Sequence, residues 1–219
     1  IRYVVTSKLL FSIITVTYNS EKTIKKTIES VHNQTCSDFE YIIIDGASTD
    51  STLSIINSCQ SDLFNITVLS EKDKGIYNAM NKGAGLASGE YLLFLNSEDY
   101  YDEKFLENLA LEVKQNPADC YFGDVFAHND DSTFNISKAQ LDEIYFRMSF
   151  NHQGSAINKK LFATLCGFDE NLSIAADWDL FLRAYIQNYS FYKYSFCSVH
   201  FYFGGTSSTK DYEHEKEYI

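Results

Sequence analysis

The feature that most constrains this chain is a repeated change of hydrophobic period along its first two-thirds. Short apolar, β-branched runs, as expected of strands buried on both faces, alternate with segments whose apolar residues recur every three or four positions. The runs are 11–17, 41–44, 66–69 and 91–95. Between them, Ile24, Ile28 and Val31 mark one helix, and Leu53 and Ile56 a second. Ile76, Ala79, Met80, Gly83, Ala84 and Ala87 mark a third, closed by Gly89; its small residues imply close packing on a sheet. A helix carrying Leu106, Leu109, Ala110 and Val113 ends before Pro117. This alternation predicts an α/β fold with a mostly parallel central sheet and helices on both faces. Ligands of such sheets sit beyond the carboxyl ends of the strands. The polar clusters after Thr17, Ile44 and Leu95 all fall there.

The last third is less periodic. Residues 121–127 read as a strand, 128–137 as a polar and mobile loop, and 151–154 as the lead into a short strand and a helix ending near Gly167. Residues 177–185 read as a helix, 191–203 as extended and aromatic, and 210–219 as a charged tail. No repeat or linker divides the 219 residues, so a single domain over 1–219 is expected.

With 30 acidic against 18 basic residues, the net charge of −12 excludes non-specific nucleic-acid binding. The five cysteines are scattered and form no CxxC pair, which argues against zinc and disulfides and fits a reducing, cytoplasmic setting. No stretch reaches the roughly 18 apolar residues of a membrane span, and residues 1–10 lack a signal peptide's apolar stretch. Sequons such as the one at Asn65 therefore read as inert. Walker, GxGxxG and GxSxG motifs are absent, which removes the P-loop, dinucleotide and serine-hydrolase readings.

Three clusters could carry chemistry. Asn96-Ser97-Glu98-Asp99 offers adjacent carboxylates at a strand end, suited either to a hard divalent cation or, through Asp99 or Asp102, to a helix cap. Ser70-Glu71-Lys72-Asp73-Lys74-Gly75 precedes the small-residue helix and is either a phosphate contact or a solvated turn. Ala176-Asp177-Trp178-Asp179 opens a helix, where carboxylates are electrostatically favoured; Trp178 could shield one of them and make it a better base. Of the histidines, His152 either faces a ligand or satisfies a turn, His200 reads as structural, and His32 and His214 read as surface residues.

In order, these pieces resemble the inverting family 2 nucleotide-sugar glycosyltransferases of GT-A fold. The likeness is carried by residues 12–19, 34–50, 71–83, 87–99, 167–170 and 176–183. It implies a nucleotide-sugar-binding half over about 11–100 and an acceptor and catalytic-base half over about 118–205. It also implies that Thr17, Tyr18, Asn19 and Asp45 line the nucleoside pocket, that Lys74 and Gly75 pass near the sugar-diphosphate, and that Asn96 and Ser97 contact the nucleotide. Glu98 and Asp99 would hold Mn²⁺ or Mg²⁺, and Asp177 would be the catalytic base. His152, Trp178 and Asp179 fall on the acceptor side, and Arg183 is either structural or a carboxylate partner.

Two residues depart from the family pattern. Gly46 stands where many members carry a second Asp that helps read the nucleobase, and Asn96 and Glu98 replace the aspartates of the metal motif. The resemblance further implies a UDP-hexose donor and a lipid-diphosphate-linked saccharide acceptor in O-antigen, lipopolysaccharide or capsule assembly, with peripheral contact at the inner face of the cytoplasmic membrane. A homodimer is left open. Two other readings are weighed: a non-catalytic nucleotide-sugar-binding protein of the same fold, and a sugar nucleotidyltransferase. The latter is disfavoured because no glycine-rich phosphate loop lies between Phe11 and Glu21.

Overall fold

A computed structural model describes residues 9–60, 66–129 and 133–203. The elements run β1 (Phe11–Thr17), α1 (Ile24–His32), β2 (Phe39–Asp45), α2 (Thr52–Gln60), β3 (Ile66–Ser70), α3 (Ile76–Leu86) and β4 (Tyr91–Asn96). They continue with β5 (Tyr100–Tyr101), α4 (Phe105–Gln115), β6 (Cys120–Phe122), β7 (Val125–His128), β8 (Phe134–Ser137) and β9 (Ser155–Asn158). The last are α5 (Lys159–Thr164), α6 (Ala176–Ile186), β10 (Phe191–Lys193) and β11 (Val199–Tyr202).

The main sheet has seven strands in the order β10-β6-β9-β4-β1-β2-β3. β1 pairs in parallel with β2 and β4, and β2 with β3, whereas β9 runs antiparallel to β4 and β6. β1 is central and buried along its whole length. Its alternating side chains feed two cores. Phe11 and Ile13 join Ile24, Ile28, Ile56, Leu106 and Leu109 on the α1, α2 and α4 face. Ile14 and Val16 join Met80, Ala84, Phe162 and Leu180 on the α3, α5 and α6 face. Each fully buried side chain of this size contributes about 1.5–3 kcal/mol. The expected α/β sheet with helices on both faces is the architecture found.

The small face of α3 packs as closely as expected. A methyl group on Gly83 would lie 2.4 Å from Ile14 Cγ2 and 3.3 Å from Ile44 Cγ1. Gly89 does not close that helix, which is capped at Ala87. Gly89 instead lets the backbone approach β1, and its N–H donates to Ser12 Oγ at 2.8 Å.

The last third departs further from expectation. Residues 121–127 are two strands in different sheets, broken at Gly123, where a Cβ would strike the Tyr194 ring. The segment read as a mobile loop contains β8, and His128 is buried within a second sheet ordered β5-β11-β7-β8. There His128 Nε2 and His200 Nδ1 lie 2.8 Å apart, and His200 Nε2 is 3.1 Å from Asp102 Oδ1. The structural reading of His200 fits this placement. His32 is exposed, as expected. The five cysteines are free. Residues 1–8, Asn65, Gly204, Gly205, His214 and the tail 210–219 lie outside the described residues. Among the described residues no helix is long and apolar enough to cross a membrane.

Candidate active site

A cavity of about 820 Å³ opens beyond the carboxyl ends of β1 and β4. Thr17 and Tyr18 line it from the end of β1, and Asn96, Ser97 and Glu98 from the end of β4. Gly75 lines it from the start of α3, where its φ of +125° is a backbone shape that suits glycine. The opposite wall carries His152, Asp177 and Trp178. Two acidic positions far apart in sequence, Glu98 and Asp177, thus border one space.

Asp177 opens α6 and faces three polar groups. Trp178 N–H donates to Oδ1 at 2.9 Å, His152 Nδ1 lies 2.8 Å from Oδ2, and the Tyr77 O–H, whose shorter bond is to Ile174 O, lies 3.3 Å from Oδ1. Burial, and then the charge of Asp177, push the Tyr77 phenol well above its usual range, so it stays a donor. Trp178 is buried and its Nε1 donates to Ile144 O at 2.6 Å, which fixes the apolar wall beside the carboxylate.

The acidic corner differs at its two members. Glu98 lines the cavity, and burial raises its carboxyl. Asp99 is buried behind it; Oδ1 accepts the Tyr202 N–H at 2.9 Å. Burial raises Asp99 to about 7; the Tyr202 bond opposes the rise and the Glu98 charge adds to it. Neither Asp99 nor Asp102 caps α4, whose N-cap is Lys104 and which has no side-chain cap. Asn96 Oδ1 is buried and accepts no hydrogen bond from the described residues, and the Gln153 side chain lies against the Asp99 carboxyl. Two neighbouring carboxylates, both raised by burial, form an oxygen donor set that fits a hard divalent ion. Among the described residues no three His, Cys, Asp or Glu converge into a complete cage. An open two-carboxylate site of this type is how Mg²⁺ and Mn²⁺ are commonly held alongside substrate phosphates.

Five expected site residues do not line the cavity. Asp45 is fully buried, with its carboxylate taken by Ser48 and by Ser70 Oγ at 2.6 Å. Asn19 Oδ1 accepts Thr49 N–H at 2.8 Å, so both residues order the loops after β1 and β2. Lys74 sits by Glu170, whose carboxyl is held low first by Asn81 and Asn78 and then by lysine charges. Asp179 pairs with Arg183 Nη2 at 2.6 Å, and Arg183 also donates to Gly167 O at 2.9 Å and to Leu165 O. That fork ties α6 to the end of α5, so Asp179 is committed to structure rather than to an acceptor. Asp99 is the fifth.

Sequence reasoning gave Asp73 no role beyond its cluster and missed Lys138 and Arg147; all three line the cavity. Asp73 Oδ1 accepts Gly75 N–H at 2.9 Å, and its Oδ2 stands 2.6 Å from where a Cβ on Gly46 would be. The Asp73 carboxylate therefore occupies the space that the missing side chain at 46 leaves open. The departure at Gly46 was the available signal. Lys138 pairs with Asp124 and Arg147 with Glu143, so each cation on this wall is matched by a carboxylate.

The profile of glycosyl transferase family 2 matches residues 12–174. A PGL/p-HBAD biosynthesis glycosyltransferase of Mycobacterium bovis (strain BCG / Pasteur 1173P2) is 34% identical over 206 residues, 91% of this chain and 80% of that protein. The chondroitin synthase of Escherichia coli is 30% identical over 182 residues, 80% of this chain and 26% of that protein. Among solved structures, S. aureus TarS in complex with UDP-GlcNAc has a TM-score of 0.78 at 24% identity, covering 92% of this chain and 61% of its own. The mannosyltransferase PcManGT from Pyrobaculum calidifontis, in complex with GDP-Man and Mn²⁺, has a TM-score of 0.68 at 20% identity, covering 88% of this chain and 57% of its own. These structural likenesses are of fold, and the chain spans less than two thirds of either solved chain. The strand-end cavity, the profile match over residues 12–174 and the sequence likeness along most of a curated relative lead to one assignment: this chain belongs to glycosyl transferase family 2 and has the GT-A fold.

Proposed function

We propose that the chain is an inverting hexosyltransferase that uses a UDP-hexose donor and a saccharide acceptor carried on a lipid diphosphate, as in bacterial O-antigen or capsule assembly. Residues of about 11–100 bind the donor, and those of about 118–205 supply the acceptor side and the base. One observation carries the reading: Glu98 and Asp177 border the same strand-end cavity. A UDP donor is preferred because TarS has been solved with UDP and with UDP-GlcNAc.

In the proposed reaction Asp177 takes the proton of an acceptor hydroxyl as its oxygen bonds to the anomeric carbon. The bond from that carbon to the phosphate oxygen breaks on the opposite face, which inverts the centre and releases the nucleoside diphosphate. The Trp178 N–H bonds Oδ1 of Asp177, and the buried Trp178 side chain keeps water from one side of it. The first turn of α3, with free N–H groups and no acidic residue, faces the cavity and favours an anionic diphosphate. Glu98 and Asp99 would hold Mn²⁺ or Mg²⁺, which supplies charge neutralisation for the departing diphosphate.

Asp177→Asn is expected to lower kcat about 10²–10⁴-fold while UDP affinity is kept, measured by UDP-sugar turnover and calorimetry. Turnover near wild type would remove Asp177 from the role of base. Glu98→Ala and Asp99→Ala are expected to abolish the Mn²⁺-dependent part of UDP binding; unchanged metal dependence in both would refute the cation site. A wild-type chain that binds UDP but turns over no donor would be the non-catalytic binding protein.

A further inference from the structure

The mechanism leaves His152 without a task, although it lines the cavity against Asp177. Both side chains are nearly buried, at 13% and 15% exposure. A carboxylate only accepts hydrogen bonds, so the 2.8 Å contact puts a hydrogen on His152 Nδ1. Nε2 is buried and has no protein hydrogen-bond partner, so Asp177 is the ring's one polar anchor.

The short 3₁₀ turn His152–Gly154 that carries the ring is held in an unusual way. Three consecutive carbonyls each accept a side-chain hydroxyl. Ser155 Oγ donates to His152 O at 2.7 Å, Tyr101 O–H to Gln153 O at 3.3 Å, and Tyr194 O–H to Gly154 O at 2.7 Å. Tyr101 and Tyr194 are themselves fully enclosed. The turn has little room as well: a Cβ on Gly154 would lie 2.8 Å from Val125 Cγ1. Three hydroxyl bonds and close packing hold this turn in one conformation, and the group it carries is an imidazole aimed at the carboxylate.

We propose that His152 is a positioning residue for Asp177. Its Nδ1–H occupies one lone pair of Oδ2 and locks the rotamer, so that the other lone pair faces the acceptor hydroxyl. The proposal rests on the reading of Asp177 as base, and its test separates the two.

Asn and Gln replace the two ring nitrogens selectively. The Asn amide overlies Nδ1, and the Gln amide overlies Nε2. His152→Asn is expected to keep turnover within about tenfold of wild type, because an N–H still meets Oδ2. His152→Gln is expected to lose about 10²-fold in kcat, with donor KM and UDP affinity within about twofold. The donor is the UDP-sugar that wild type turns over, from UDP-Glc, UDP-Gal, UDP-GlcNAc and UDP-GalNAc. Equal, severe loss in both variants makes His152 itself the proton acceptor and overturns the proposal. Near-normal turnover in both, or rescue by Gln and not by Asn, overturns it too. If His152→Gln fails to fold, His152→Ala with and without added imidazole replaces it; restored turnover supports the role and no restoration overturns it.

Imidazole ¹⁵N–¹H spectra of the wild type add a readout free of activity. A hydrogen on Nδ1, protected from exchange, is expected, and a bare Nδ1 overturns the proposal. An active Asp177→Asn variant would sink the assignment of the base while leaving that hydrogen bond in place.

Discussion

At the scale of single residues, chemically alike side chains are sorted by what surrounds them. Asp177 and Asp179 are two positions apart on α6, yet one faces the cavity and the other closes an Arg183 fork. Asp45 is saturated by Ser48 and Ser70, whereas Asp73 keeps an oxygen beside Gly46. Hydrogen bonds to charged groups contribute about 1.5–3 kcal/mol. Asp73→Ala is therefore expected to weaken UDP binding by about tenfold or more, read by calorimetry. Unchanged affinity would show that this carboxylate does not meet the nucleotide. The clue in the sequence was indirect: Gly46 announced a missing side chain, but not which residue fills its place.

At the scale of elements, the close approach of α3 to the sheet is the feature most exposed to perturbation. Gly83 has no space for a methyl group against Ile14, whose branched side chain is stiff on a central strand. Gly83→Ala is expected to cost about 1–3 kcal/mol through overpacking, despite alanine's better helix propensity, and to lower Tm in a thermal melt. An unchanged Tm would mean that α3 can slide. The strand and helix periods of the first two-thirds were legible because each element buries a whole face. The period failed at residues 121–127, where the chain changes sheets at Gly123. The cause is the Tyr194 ring, more than seventy positions downstream and invisible to any local pattern. The polar segment that contains β8 departs from its local pattern for a similar reason, since β8 pairs with β7 in the second sheet.

At the scale of the whole molecule, the acidic corner links stability to pH and to metal. Asp99 titrates near 7 in the folded chain, chiefly through burial, against about 3.9 when unfolded. The folded state then binds its proton more tightly, so this group lowers stability as pH rises from about 4 through 7. The burden above pH 7 is on the order of a few kcal/mol. Asp99→Asn still offers an oxygen to the Tyr202 N–H, so it is expected to remove that slope and to melt above metal-free wild type at pH 8. The two should converge at pH 4. Mn²⁺ is expected to raise the wild-type Tm at pH 8 and to do little at pH 4, where Asp99 is protonated. An equal response at both pH values would disconnect the ion from this carboxylate.

The amino-acid order by itself determined the alternating elements, the parallel core of the sheet, the strand ends where a ligand would sit and the family. Those follow from local periods and from motifs that keep their spacing along the chain. Only the tertiary structure decided that Glu98 faces the cavity while Asp99 lies behind it, that His152 reaches Asp177 while His200 turns to His128, and that Asp73 fills the gap at Gly46. A period fixes which face a side chain occupies, but its partner is set by distant segments brought together only when the sheet and its two cores close.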